Sequence, residues 1–235
     1  EIGGKRIICV NATERPTRQR FTVCHEIAHA VLELPSEHKG SSESSYARRP
    51  PNEIWCDIFA AELLLPFDLF KPRVTRSEIS LEAISRLASE FDASFAATGS
   101  RFAAVADIPC AFVLAEAGAV RHASRSKALR NAYGMIPAGT KIPCGSVSER
   151  VRHRVTSDGS EECDADVWLA RWSRGGVLLE EARYLEEWDQ TLTLLWFEDE
   201  EVPESRPSDA ERPDEEAALE ELDGVLPWPG RRRRK

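Results

Sequence analysis

The segment Cys24-His25-Glu26-Ile27-Ala28-His29 carries the pattern H-E-x-x-H. On a helix, residues four apart share a face and lie about 6 Å apart along the axis. His25 and His29 can then aim two imidazole nitrogens at one divalent ion, each at roughly 2.0–2.1 Å. Glu26 stands one step round the helix, at the edge of that face. Its carboxylate can reach a water beside the ion without being a ligand, take the water's proton and pass it to a leaving amine. The chemistry is metal-assisted hydrolysis: the metal activates the water and polarises a scissile carbonyl, and Glu26 is the general base. The alternative, two helix histidines facing core or solvent, explains neither the placement of Glu26 nor the apolar Phe21, Ile27, Val31 and Leu32 around the motif.

A catalytic zinc takes three protein ligands and leaves a fourth position for water. The stretch from Asn52 to Pro66 offers the third. Glu53 and Asp57 are four apart and share a helical face, and small Ala60 and Ala61 allow close packing on the His-bearing helix. Glu53 can ligate the metal while Asp57 accepts the outer N–H of a ligand imidazole, which fixes its tautomer and orientation. Rivals for the third position are His38, beyond Pro35 in a polar loop, Cys56, one turn from Glu53, and Glu62, about half a turn round from it. His2Glu ligation suits zinc and also accepts manganese.

These residues need helices to hold them. Pro16 precedes a helix from Thr17 to Leu34, which Pro35 stops. A Ser-, Glu- and Arg-rich loop over 36–51 leads to a helix from an Asn52 N-cap to Leu65, ended by Pro66. Arg6 to Val10 reads as a short strand ahead of both. Ser80 caps a helix from Leu81 to Phe91, and Asp92-Ala93-Ser94 turns into another from Phe95 to Ala106, a helix-turn-helix-like pair. From Ile108 the pattern becomes strand-like: Cys110 to Ala115, Ala119 to His122, Val167 to Trp172, Val177 to Tyr184 and Thr191 to Phe197, with a helix over Lys127 to Tyr133 and a Gly175-Gly176 turn.

The net charge of -9 is unevenly placed. Residues 198–223 hold 13 acidic side chains, whereas residues 1–197 carry a net charge of only -3. A chain so poor in positive charge is not built for broad nucleic-acid binding. Its second helix-turn-helix-like helix is mostly Ala, Phe and Val, with Ser100 and Arg101 nearly alone as groove readers, which favours docking over DNA contact. Arg73, Arg76, Arg86 and Arg101 remain available for phosphates. No stretch approaches the roughly 20 apolar residues of a membrane span. Six cysteines with no CxxC among them read as reduced thiols, which suits the cytoplasm. The sequence opens on Glu1, as a piece of a longer protein would.

The run Arg18-Gln19-Arg20-Phe21-Thr22-Val23-Cys24-His25-Glu26-Ile27-Ala28-His29, followed by Glu53 to Pro66 with Phe59-Ala60-Ala61-Glu62-Leu63-Leu64-Leu65-Pro66, resembles the ImmA/IrrE family of bacterial metallopeptidases. Leu81 to Arg101 resembles the helix-turn-helix-like region that follows the protease core there. The similarity spans about residues 6–105, weakens over 106–197, where some relatives carry an additional α/β domain, and is absent from the tail. The resemblance implies a zincin-like peptidase with His25, His29 and Glu53 as ligands and Glu26 as general base. It also implies a protein substrate: a helix-turn-helix transcriptional repressor, whose cleavage releases stress-response or mobile-element genes. One departure is the absence of the further His that many relatives carry after the metal motif, where this chain has Glu33 and Leu34. Upstream family elements that complete the fold are also expected to lie outside this sequence.

The expectation is therefore an α+β protein. A mainly helical zincin-like core occupies 1–72, a helix-turn-helix-like segment 73–106, a smaller α+β domain 107–197 and a disordered acidic tail with a basic end 198–235. The expected function is a cytoplasmic, zinc-dependent (or manganese-dependent) endopeptidase acting on a repressor, with no membrane partner. The alternative is a non-catalytic transcriptional regulator that binds through the helix-turn-helix-like segment and the C-terminal domain.

Overall fold

The computed structural model describes residues 7–36, 50–155 and 158–198. The first helix, α1, spans Pro16–Val31 and α2 spans Pro51–Leu64. Both start with a proline in the first turn, where its fixed φ fits and no amide hydrogen is needed. This corrects the N-cap expected at Asn52: the capping position of α2 is Pro50. The expected end of α1 at Leu34 is also corrected. Glu33 adopts a left-handed backbone (φ 55°), and the Leu34 N–H turns back to the His29 carbonyl at 3.2 Å. The chain thus leaves the helix ahead of Pro35.

The helix α3, Phe67–Arg76, was not legible beyond Pro66. Phe70 and Val74, four apart, bury its inner face. Glu62 accepts the Phe67 N–H at 2.7 Å, satisfying one of the open donors at that helix start. The helices α4, Leu81–Glu90, and α5, Phe95–Val105, follow. Ser80 and Ser94 cap them by accepting from Ala83 and Ala97 at 3.0 and 3.2 Å. Between them Asp92 takes a left-handed conformation.

The strands form one antiparallel five-stranded sheet in the order β2-β1-β5-β4-β3. They are β1, Cys110–Glu116; β2, Ala119–Arg125; β3, Asp158–Asp164; β4, Val177–Leu185; and β5, Gln190–Phe197. Short helices α6 (Lys127–Asn131), α7 (Val147–Arg152) and α8 (Ala165–Trp168) fill the connections. Two expected strands are corrected. Ile7 to Val10 is extended and exposed but belongs to no strand among the described residues, having no partner segment there to hydrogen-bond with. Residues 167–172 hold α8 and a turn instead of a strand. Ala165, Trp168 and Leu169 are all buried, the i, i+3, i+4 spacing of a helical face, and the neighbours Trp168 and Leu169 break the alternation of a half-buried strand. Gly175 and Gly176 turn the chain from this segment into β4 at positive φ. The strand that pairs with β4 on its outer edge is β3, whose sequence DGSEECD reads as a loop.

The sheet is covered on both faces. Cys110, Phe112, Leu192 and Leu194 join α1–α5 in one core, with Phe70, Ile84 and Phe102 fully buried there. Ala111, Val113, Leu195 and Phe197 point the other way, into a core with Trp168 and Trp172. Burying a phenylalanine completely contributes about 1.5–3 kcal/mol. The approach of α5 to β1 depends on Gly99, where an added Cβ would sit well inside contact distance of the Phe112 ring. At the N-terminus of α4, Glu181 of β4 accepts the Leu81 N–H at 2.7 Å. At the start of α1, Arg15 pairs with Glu187 at 2.9 Å and lies 3.6 Å over the Trp188 ring in the β4–β5 connection. No helix among the described residues is long and apolar enough to cross a membrane. The expectation for the acidic tail falls on residues outside those described, apart from Glu198.

Candidate metal centre

α1 and α2 pack side by side, with Ala28 of one and Ala60 of the other fully buried. Small residues at the crossing let the polar side chains of the two helices meet. His25 Nε2 lies 3.2 Å from His29 Nε2 and 3.0 Å from Glu53 Oε2. His29 Nε2 lies 3.5 Å from Glu53 Oε1. His25 and Glu53 are 6% and 4% exposed, so their charge has little water to stabilise it.

The outer ring nitrogens fix the tautomers. His25 Nδ1 lies 2.9 Å from Asp57 Oδ1, and His29 Nδ1 lies 3.1 Å from the Leu34 carbonyl. A carbonyl and a carboxylate accept, so both Nδ1 atoms donate and both neutral rings direct Nε2 lone pairs inward. Those lone pairs face each other and a carboxylate, an arrangement that a cation between them relieves. Ligand atoms at about 2.05 Å from a tetrahedral ion stand about 3.3 Å apart. The observed edges of 3.0–3.5 Å bracket that value. The residues present therefore fit a divalent metal ion.

Electrostatics agree. Burial pulls the His25 imidazole down, but the hydrogen bond and charge of Asp57 and then those of Glu53 outweigh it, so its proton is held above the ordinary 6.5. A cation would take that proton's place.

Glu26 follows His25 on α1 and is half-buried. Its charge reaches Cys56, whose thiol is pushed up to about 12, first by burial and then by Glu53, Asp57 and Glu26. Cys56 Sγ also belongs to a group with the donor nitrogens of His25 and His29, all within 4.8 Å of one another. Glu62 stands apart: it caps α3 and pairs with Arg101 of α5. His38 lies outside the described residues. The Leu34 carbonyl is the partner sequence reasoning missed. Its signal was indirect, because only the early end of α1 turns that carbonyl under His29.

α5 is the second helix of the pair that the sequence reads as helix-turn-helix-like. Thr98, Gly99, Phe102, Ala103 and Val105 of α5 are buried. Arg73 is paired with Glu90 and Arg101 with Glu62.

The H-E-x-x-H face of α1 and the acidic face of α2 both lie within the region that the sequence comparisons match. Residues 2–103 match the family model of the IrrE N-terminal-like domain. It is 34% identical over 96 residues to a radiation response metalloprotease IrrE of Deinococcus deserti, covering 37% of this chain and 32% of that protein. To the protein of the same description from Deinococcus radiodurans it is 29% identical over 91 residues, covering 37% and 28%. The chain thus spans about a third of the length of these relatives. Among solved structures, a Mycobacterium tuberculosis transcriptional regulator aligns with TM-score 0.47 and 14% identity, over 80% of this chain and 58% of that one.

Proposed function

We propose that the chain is a zinc-dependent endopeptidase that hydrolyses a peptide bond in a protein substrate, a helix-turn-helix transcriptional repressor. The observation that carries the reading is the inward convergence of His25 Nε2, His29 Nε2 and Glu53, with both histidines anchored from behind by acceptors. The bound ion supplies Lewis acidity, which makes a water nucleophilic at neutral pH and draws on the scissile carbonyl. Glu26 accepts the proton from the attacking water and returns it to the amine as the carbon–nitrogen bond breaks. Asp57 keeps His25 in the Nδ1–H tautomer throughout, and the Leu34 carbonyl does the same for His29. Manganese is the alternative ion for this donor set.

The buried face of α5 supports docking within the protein over reading of a DNA groove. The likeness to two radiation response metalloproteases supports a stress-response role that releases repressed genes. Six unbridged cysteines suit a reducing cytoplasm. The test is incubation of the chain with the repressor encoded nearest to it, with and without chelator, followed by mass mapping of fragments. Two defined fragments that vanish with chelator and with Glu26→Gln are expected. A chelator-insensitive regulatory effect on an intact repressor would overturn the reading in favour of a non-catalytic regulator.

A further inference from the structure

Cys56 is three residues after Glu53 on α2 and has no exposed surface. It differs from the other fully buried thiol, Cys110, which the Ser126 hydroxyl adjoins on the apolar sheet. Cys56 stands beside two histidines and in the field of Glu53, Asp57 and Glu26. An apolar lining residue would serve packing at this place equally well. A sulfur adds something else: a soft donor, on the same centre as two borderline nitrogens and a hard carboxylate.

We propose that Cys56 is an alternative ligand of the metal centre, which with His25 and His29 binds thiophilic d10 cations such as Cd2+ in place of the set completed by Glu53. The inference rests on the same histidine pair as the peptidase reading and extends it to which ions the site accepts. Geometry allows it: nitrogen and sulfur on one tetrahedral ion stand about 3.5 Å apart, for bonds near 2.05 and 2.3 Å. From a spacing within 4.8 Å, Sγ has roughly 1 Å to close, within reach of a small side-chain and helix adjustment. The step balances without a redox partner. The thiol releases its proton to water as the metal–sulfur bond forms, and the ion keeps its oxidation state.

The choice between donors follows from softness. Glu53 offers a hard oxygen already placed beside both histidines, which suits zinc, whereas the sulfur of Cys56 is favoured only by ions with a strong preference for soft donors.

The test uses the full chain with Cys9→Ser and Cys144→Ser, which removes the two exposed thiols. The metal-free protein is titrated with Cd2+ and followed by the thiolate-to-metal charge-transfer absorption in the ultraviolet. A band that saturates at one equivalent is expected, together with a sulfur-ligated 113Cd resonance, which requires no variant at position 56. The band should disappear in Cys56→Ser, and in His25→Ala/His29→Ala, where the thiol remains. One equivalent of Cd2+ bound without the band overturns the proposal and leaves the peptidase reading standing. A band that persists in Cys56→Ser assigns the sulfur to another cysteine and overturns it equally. Failure of both Cd2+ and Zn2+ to bind removes this proposal and the peptidase reading together.

Discussion

At the scale of single residues, the proposed site has three side chains to hold an ion and two further groups to orient them. Asp57 is the clearest of these. Its carboxylate meets the outer nitrogen of His25 at 2.9 Å and so sets the direction of the inner lone pair. Asp57→Asn keeps the shape and removes the charge, and metal affinity should fall about 10–100-fold. A competition titration against a chromophoric chelator would show it. Glu26→Gln should keep the metal and lose about 10²–10⁴ in turnover, because general acid–base catalysis contributes on that order. A variant with full turnover would remove Glu26 from the mechanism. The His25 proton gives a pH dependence with a definite sign. Its folded value is raised above 6.5. In the metal-free chain it therefore contributes stability that is fully present below 6.5 and lost as pH rises through the folded value. Metal competes with the same proton, so metal binding runs the opposite way and weakens on acidification. Melting curves of metal-free protein, wild type against His25→Gln, should show a difference that shrinks from about pH 6 to about pH 8. The shift on adding zinc to the wild type should grow over the same range.

At the scale of elements, what could be read from the sequence divides along periodicity. The metal helices announced themselves because His25/His29 and Glu53/Asp57 are i,i+4 pairs inside apolar patterns. Ser80 and Ser94, each three residues before the amide it caps, marked the starts of α4 and α5. The apolar strands β1, β4 and β5 were legible for the same reason. The misses have physical causes. β3 is an acidic edge strand whose pairing comes from β4 and owes nothing to its own composition. α8 hid in a run of valine, tryptophan and leucine that suits either state, and only the joint burial of Ala165, Trp168 and Leu169 marks the helical face. α3 carries Pro72 inside it, which argues against a helix locally and is overridden by the burial of Phe70 and Val74. Tolerance at the α5–β1 crossing should be very low. Gly99→Ala places a methyl against Phe112, which is fully buried and has no room to retreat. Overpacking of this kind costs about 1–3 kcal/mol. Urea unfolding should report a lower midpoint with an unchanged slope. An equally stable variant would mean that α5 does not press on β1 as described.

At the scale of the whole molecule, helices α1–α5 and one face of the sheet share a single apolar core, running from Cys24 on α1 to Leu194 on β5. Arg15 reaching Glu187 and Trp188, and Glu181 reaching the start of α4, cross the same boundary. The metal helices and the sheet should therefore unfold together. Far-ultraviolet circular dichroism and tryptophan fluorescence should give coincident melts. Saturating metal should raise both by the same amount, since an ion that binds only the folded form stabilises everything coupled to it. Two separated transitions, with only the helical one metal-sensitive, would contradict a shared core. The central claim is smaller than any of this: His25, His29 and Glu53 close on one divalent ion. The direct measurement is zinc stoichiometry and affinity by chelator competition on the metal-free chain, beside His25→Ala, His29→Ala and Glu53→Ala. The account predicts one zinc per chain, with each substitution weakening it at least tenfold. A chain that takes up no zinc, or binds it as tightly with all three donors removed one by one, contradicts it.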